Sequence, residues 1–159
     1  MVNCIATDYP VDKDRIYNGG SSAGGTMTSR NMMFNSDLFA GGIIGLGNFH
    51  YLSQFPIQPV DTVIMDSAIV VLLWGGADDR YGTSGYAVET KLTAEYYAAQ
   101  DNVVTVSCSR IHGHPWPNAF GPWAAATLLS HPKGTSVSDI ELTTPPDGFS
   151  CVVGVYTDH

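Results

Sequence analysis

Basic residues are scarce in this sequence. Seven Lys and Arg stand against fifteen Asp and Glu in 159 residues, a formal charge of −8. A surface of that sign repels phosphate backbones and anionic lipid headgroups, so no nucleic-acid or membrane partner is expected. Long apolar runs are also missing. The longest, Ala68-Ile69-Val70-Val71-Leu72-Leu73-Trp74 and residues 39–46, fall far short of the roughly twenty residues a membrane helix needs. Met1-Val2-Asn3-Cys4 has no basic segment leading into an apolar one, so no signal peptide is visible. The chain is expected to be soluble, in a compartment left open. Only three cysteines occur, Cys4, Cys108 and Cys151, spaced too widely for a zinc knuckle or a redox C-x-x-C. At most one disulfide can form, and buried small hydrophobes are the default reading. Internal repeats and low-complexity tracts are absent as well.

What is present fills a core. Apolar residues make up 44% and aromatics 11%, enough for one compact domain. Strand-like and helix-like segments alternate, the sign of an α/β layer fold with a parallel sheet. Arg15-Ile16-Tyr17-Asn18 reads as a short strand ending in Gly19-Gly20. Residues 23–34 read as a helix, with Met27, Arg30, Asn31 and Phe34 at helical spacing and Ser22 at its mouth. Residues 38–46 form a second strand, whose Gly41, Gly42, Gly45 and Gly47 signal close backbone approaches. Residues 68–74 are apolar on both faces, as a central parallel strand should be. Gly75-Gly76-Ala77-Asp78-Asp79 breaks that strand. Val88, Leu92 and Tyr96 recur every four positions and predict an amphipathic helix over 84–100. Residues 103–107 give the fourth strand and 120–130 the last helix. Residues 48–66, with Pro56 and Pro59, read as a mobile loop or short irregular helix over the sheet. Beyond Gly134, residues 137–143 and 149–156 are two strand-like runs around Pro145-Pro146-Asp147-Gly148, a hairpin pattern.

Gly20-Ser21-Ser22-Ala23-Gly24 matches G-x-S-x-G between a predicted strand and a predicted helix. The turn is so tight that side chains two before and two after the serine would collide. Its backbone lifts Oγ out of the sheet, and the Ala23 amide at the helix mouth faces a developing oxyanion. A glycine- and serine-rich turn without chemistry is the plain alternative. A phosphate loop is rejected, because no Gly-Lys-Ser/Thr follows and residues 41–47 lack the G-x-G-x-x-G order. A serine hydroxyl needs an imidazole, and the imidazole needs a carboxylate. In chain order Ser, acid, His, the loops after later strands offer Asp78 and His114. Asp79 next door fits the acid role or a capping role equally, and His112 rivals His114. The His112-x-His114 pair also resembles half a zinc site, but no third ligand stands at suitable spacing. No metal and no cofactor are expected.

These blocks carry a resemblance. Tyr9-Pro10-Val11-Asp12-Lys13-Asp14-Arg15-Ile16-Tyr17, running into Gly20-Ser21-Ser22-Ala23-Gly24-Gly25-Thr26-Met27-Thr28, resembles the nucleophile region of the polyhydroxybutyrate depolymerase-like and feruloyl/acetylxylan esterase branch of the α/β-hydrolases. Leu72-Leu73-Trp74-Gly75-Gly76-Ala77-Asp78-Asp79 is similar to that branch's H-G-T-A-D acid loop, and Gly113-His114-Pro115-Trp116-Pro117 to its G-H-x-W-P block. The match runs in order over residues 9–134. It implies a truncated α/β-hydrolase fold with a mostly parallel sheet flanked by helices. Residues 1–134 would be the minimal catalytic domain, and residues 135–159 a β-rich extension forming an extra C-terminal hairpin. It further implies a serine carboxylesterase with Ser22 as nucleophile, Asp78 as acid and His114 as base. Ala23 would supply one oxyanion amide, and Ser21 and Trp116 would contact short-chain, aryl or carbohydrate esters, or a polymer ester.

The pattern departs from that family at its start. Members bring several strands before the nucleophile, one loop of which gives the second oxyanion amide; here about eighteen residues precede Gly19. Residues 15–18 therefore become a sheet edge. A homo-oligomer partner, or the hairpin over 137–156, is expected to cover it, and Asn18 or a neighbouring loop to supply the missing donor. The competing class is a truncated hydrolase scaffold acting as a binding or structural subunit.

Overall fold

The computed structural model describes residues 2–47, 67–81, 84–111 and 113–156. Residues 48–66 and His112, read from the sequence as a loop and as a rival base, lie outside the described residues. The chain opens with α1 (Val2–Asp8) and a single 3₁₀ turn, Lys13–Arg15. The carboxylate of Asp12 accepts the Asp14 N–H at 3.0 Å and caps that turn. This cap takes residues 13–15 out of extended backbone, so β1 begins later than the sequence pattern implied, at Tyr17–Ser21. There follow α2 (Ala23–Phe34), β2 (Gly41–Gly45) and β3 (Ala68–Trp74), then a two-residue ribbon of β4 (Arg80–Tyr81) and β5 (Ser84–Gly85). The chain continues through α3 (Tyr86–Ala98), β6 (Val103–Ser109), α4 (Phe120–Leu129), a 3₁₀ turn at Val137–Asp139 and β7 (Ser150–Val153).

The main sheet runs in the order β1-β2-β3-β6-β7. Its first four strands are parallel, and β7 is antiparallel to β6. Alternation along β3 divides the core between the two faces of the sheet. Ile69, Val71 and Leu73 meet Val104, Val106, Phe120, Ala124 and Leu128 under α4. Ala68, Val70 and Leu72 meet Met32, Met33, Ala94 and Tyr97 under α2 and α3. Each fully buried aliphatic of β3 contributes about 1.5–3 kcal/mol, which makes this strand the anchor of the fold.

The helices turn differently from their apolar pattern. Met27 and Phe34 on α2, and Val88 and Leu92 on α3, are exposed, 59% and 62% for Met27 and Val88. The buried faces are Gly25, Thr28, Ser29, Met32 and Met33 on α2, and Tyr86, Thr90, Thr93, Ala94 and Tyr97 on α3. Small and hydroxylated residues allow close approach to the sheet, and buried hydroxyls there find carbonyl acceptors within one helix or between the two. Thr93 Oγ1 donates to the Glu89 carbonyl at 2.7 Å, and the Tyr97 hydroxyl donates to the Ser29 carbonyl at 2.9 Å.

The C-terminal extension is not a hairpin, and it does not cover β1. Ile140, Leu142 and Phe149 pack on the α4 side of the core, and the Trp123 indole donates to the Thr143 carbonyl at 3.2 Å. Those anchors hold the first run against the core instead of in a ladder. The remaining strand, β7, lies on β6, where Cys108 and Cys151 stand directly opposite and form a disulfide. Cys4 is free and exposed. Among the described residues β1 is thus an open edge of the sheet, four positions away from β7 at the other edge. Among the described residues no helix is long and apolar enough to cross a membrane.

Candidate active site

All three relay residues come from loops at the carboxyl ends of parallel strands. Ser22 joins β1 to α2 with φ 56° and ψ −122°, a conformation that non-glycine residues seldom hold. Neighbouring strands fix it: the Ser22 N–H donates to the Gly45 carbonyl at 2.9 Å, and the Thr26 hydroxyl to the Gly47 carbonyl at 2.7 Å. A side chain at Gly20 would strike the Gly24 backbone, and one at Gly25 the Gly45 carbonyl. Gly24 itself faces open space. The small-residue requirement after the serine therefore falls on Gly25, one residue later than G-x-S-x-G implies, because that position meets β2.

His114 Nε2 lies 3.0 Å from Ser22 Oγ, and His114 Nδ1 lies 2.8 Å from a carboxylate. That carboxylate belongs to Asp79, not Asp78. A turn after β3 closes with the Asp79 N–H on the Gly76 carbonyl at 2.9 Å, Gly76 taking φ 99°. This turn sends Asp79 inward, where its side chain is wholly buried and Oδ2 accepts the Gly75 N–H at 3.0 Å. Asp78 faces solvent. Since an ionised carboxylate only accepts, Nδ1 carries the proton and Nε2 is left free to accept from the Ser22 hydroxyl.

The histidine loop is tied to the acid loop. Gly113 N–H donates to the Gly75 carbonyl at 2.7 Å, and the Arg110 guanidinium to the Gly113 carbonyl at 3.3 Å. Burial pushes the Arg110 guanidinium below its usual range, and the Asp79 charge partly offsets this. The Tyr86 ring stacks on the imidazole with centroids 5.1 Å apart. Sequence reasoning missed both Arg110 and Tyr86, because neither carries a motif.

Ala23 opens α2, so its amide is among the helix's unsatisfied donors beside Ser22. Asn18 is not positioned as a second donor. Its side chain lies over Gly42 beside Thr28 and Met32, one level down the sheet, where both amide atoms are buried without a hydrogen-bond partner among the described residues. Ser21 and Trp116 do come together: with Gly19, Gly20 and Ile43 they line a mostly apolar groove of about 330 Å³. The Trp116 ring covers Gly45 and meets Phe120 edge to face at 5.8 Å. Among the described residues no group of three or more His, Cys, Asp or Glu is placed to hold a metal ion.

A strained serine on a strand–turn–helix, followed in chain order by an acid and a histidine on a mostly parallel sheet, is the arrangement of the α/β-hydrolase fold, which this chain has. No family model matches it. Among curated proteins it is similar to the oxidized polyvinyl alcohol hydrolase of Sphingopyxis sp. (strain 113P3), 36% identical over 194 aligned positions that cover 100% of this chain and 53% of that protein. The protein of the same description from Pseudomonas sp. is 34% identical, covering 99% of this chain and 52% of that one. Native pOPH superposes with a TM-score of 0.86 at 34% identity over 99% of this chain and 57% of that chain. A thermostable esterase at 19% identity and a TM-score of 0.53, covering 82% of this chain and 35% of that one, shares the fold. The chain spans about half the length of the curated relatives it matches.

Proposed function

We propose that this chain carries the nucleophilic centre of a serine hydrolase that cleaves carboxylic esters through an acyl-enzyme. The observation that carries this reading is the unbroken relay from Ser22 Oγ through His114 to Asp79, at 3.0 and 2.8 Å. Ser22 Oγ attacks the carbonyl carbon while Nε2 takes its proton, and the Asp79 carboxylate steadies the imidazolium. The tetrahedral oxyanion meets the Ala23 N–H. Collapse breaks the bond to the leaving alkoxide, which takes the proton from Nε2. Water then repeats the sequence on the acyl group, releasing the acid and restoring Ser22. The open groove at Trp116 suits short-chain, aryl or carbohydrate esters better than a long buried acyl chain, with the indole offering a stacking face.

The similarity to oxidized polyvinyl alcohol hydrolases favours a second substrate class for the same centre. Polyvinyl alcohol bears hydroxyls on alternate carbons, so its oxidation yields carbonyls in a 1,3 relation. Attack by Ser22 on one of them would break the carbon–carbon bond toward the other. The leaving carbanion is held as an enolate and protonated from Nε2. Hydrolysis of p-nitrophenyl acetate or butyrate, set beside cleavage of a soluble 1,3-diketone, separates the two classes. Both activities should vanish in Ser22→Ala and in His114→Ala. Rates unchanged in both variants would refute Ser22 as the nucleophile, and a wild type that cleaves neither substrate and is not labelled at Ser22 by a fluorophosphonate would leave a binding scaffold in place of an enzyme.

A second copy of the chain is our proposed cover for residues 15–18. In support, among the described residues β1 is hydrogen-bonded to β2 alone within the sheet, and the last described strand is committed to the far edge. Light scattering after size exclusion should give a dimer, and a strict monomer at micromolar concentration would refute it.

A further inference from the structure

One side chain in contact with the relay has no part in the steps above. Tyr86 is the first residue of α3 and is 1% exposed. Its ring lies nearly parallel to the His114 imidazole, with centroids 5.1 Å apart and planes 25° apart. Trp74 packs against the same ring, and Tyr156 backs Trp74 at 5.0 Å. The Tyr86 backbone N–H donates to the Asp79 carbonyl at 2.9 Å. One residue thus reaches the base through its ring and the acid's loop through its amide.

We infer that Tyr86 is a positioning residue for His114, its rigid face confining the imidazole to the plane in which Nε2 meets Ser22 and Nδ1 meets Asp79. This rests on the reading of Ser22 as a nucleophile. The His114 side chain is 40% exposed, whereas Asp79 is fully enclosed. An imidazole that open to solvent needs a wall, since a modest rotation about its ring bond breaks both hydrogen bonds together. The ring also faces the positive charge that His114 gains on taking the Ser22 proton, within the roughly 6 Å over which a π face attracts a cation. The other groups facing His114 are accounted for by element. After β3 there is the Asp79 carboxylate in direct contact. At the end of β6 there is the Arg110 guanidinium, held on Gly113. From the mouth of α2 comes the Ser22 hydroxyl, and from α3 the Tyr86 ring itself, whose backbone N–H is on the Asp79 carbonyl. Tyr86 is the one aromatic surface in contact with the ring among the described residues.

The test measures fluorophosphonate inactivation of the full chain between about pH 5 and 9, where histidine titrates, for wild type, Tyr86→Phe and Tyr86→Leu. Phe keeps the ring and should react within about threefold of wild type, whereas Leu should slow about tenfold and move the acid limb to lower pH. An unchanged rate and limb in Tyr86→Leu would overturn the inference, as would a loss in Tyr86→Phe equal to that in Leu, which would point to the hydroxyl. Should the Leu variant not fold, the wild type alone decides by NMR. The His114 ring protons should be shifted upfield by the stacked face, and resonances at ordinary positions overturn the proposal. A wild type with shielded His114 protons that does not react with the probe would count against Ser22 as nucleophile and leave Tyr86 as the wall of the imidazole.

Discussion

The acid's identity gives the sharpest prediction, because two adjacent aspartates differ by one residue in sequence and completely in surroundings. Asp79 accepts two N–H groups, His114 Nδ1 on one oxygen at 2.8 Å and Gly75 N on the other at 3.0 Å. An asparagine in its place offers one oxygen and one NH₂. If the oxygen serves His114, the NH₂ is pressed against the Gly75 donor with no room to turn, since the side chain is wholly buried. If the NH₂ faces His114, the imidazole must present Nδ1 as acceptor, which moves its proton to Nε2 and removes the base from Ser22. The donor-against-donor clash at Gly75 disfavours the first arrangement and the second forfeits the productive tautomer, and a drop of about 10⁴ in turnover is the known scale of that loss in a serine protease triad. Asp79→Asn should therefore lower ester hydrolysis by about 10³- to 10⁴-fold, with KM changed little. Asp78→Asn, on an exposed residue, should stay within about threefold, like most surface substitutions. Steady-state hydrolysis of p-nitrophenyl butyrate, with circular dichroism to confirm folding, reads both. A dead Asp78→Asn beside an active Asp79→Asn would refute the loop geometry on which the site depends.

Gly24→Ala should keep fluorophosphonate labelling and raise stability by up to about 1 kcal/mol, since a methyl there meets nothing and alanine favours helix; Gly20→Ala should lose labelling by collision with the Gly24 backbone, and equal behaviour of the two would contradict the elbow packing. Opening the Cys108–Cys151 disulfide, which closes a segment of sequence separation 43, should lower unfolding free energy by about 4 kcal/mol on the chain-entropy account; urea titration of Cys108→Ser/Cys151→Ser against wild type measures it. Burial pushes the Glu89 carboxyl above its usual range, so the folded state holds that proton more tightly than the unfolded one. Its stabilising effect is full below the unfolded value of about 4.3 and is lost as pH rises through the higher folded value. The melting temperature of Glu89→Gln relative to wild type should therefore climb over that interval, and a flat difference would argue against the burial.

Sequence pattern located what depends on local geometry. The strand 68–74 is found with its bounds intact, because an apolar run flanked by a glycine pair admits little else, and the helix 23–34 because Ser22 and Asn35 bracket it. Ser22 and His114, which the structure brings to 3.0 Å, are legible from the same kind of local pattern, whereas Ser21 and Trp116 follow from the family resemblance and their common groove comes only with the fold. What stayed hidden depends on which neighbour a residue meets. The choice between Asp78 and Asp79 turns on one backbone hydrogen bond to Gly76. Half of the inward residues of α2 and α3, namely Gly25, Thr28, Ser29, Thr90 and Thr93, are Gly, Ser or Thr, which no hydropathy pattern marks as core. Residues 137–143 have strand-like composition but are claimed by Trp123 and the α4 side of the core.

The stiffness of the site follows from bonds that extend beyond the strand ladders. Ser22 N–H reaches the Gly45 carbonyl of β2, Leu46 N–H the Leu73 carbonyl of β3, and Arg110 N–H the Trp74 carbonyl. Gly113 N–H then returns to Gly75 at the foot of the acid loop. Each loop that carries a relay residue is therefore fastened to its neighbour by main chain, independently of the side-chain bonds between Ser22, His114 and Asp79. Removing a relay side chain leaves that frame standing, so Ser22→Ala and His114→Ala should fold like wild type and report on chemistry alone. The frame is weakest on the β1 side, where, among the described residues, a strand of Tyr17, Asn18, Gly19, Gly20 and Ser21 has one ladder partner and a buried Asn18 amide without a hydrogen-bond partner. Motion of that edge would shift Ser22 against a His114 held from the other side. Any partner strand that pairs with β1 should therefore raise the rate at which Ser22 reacts before it changes what the groove binds.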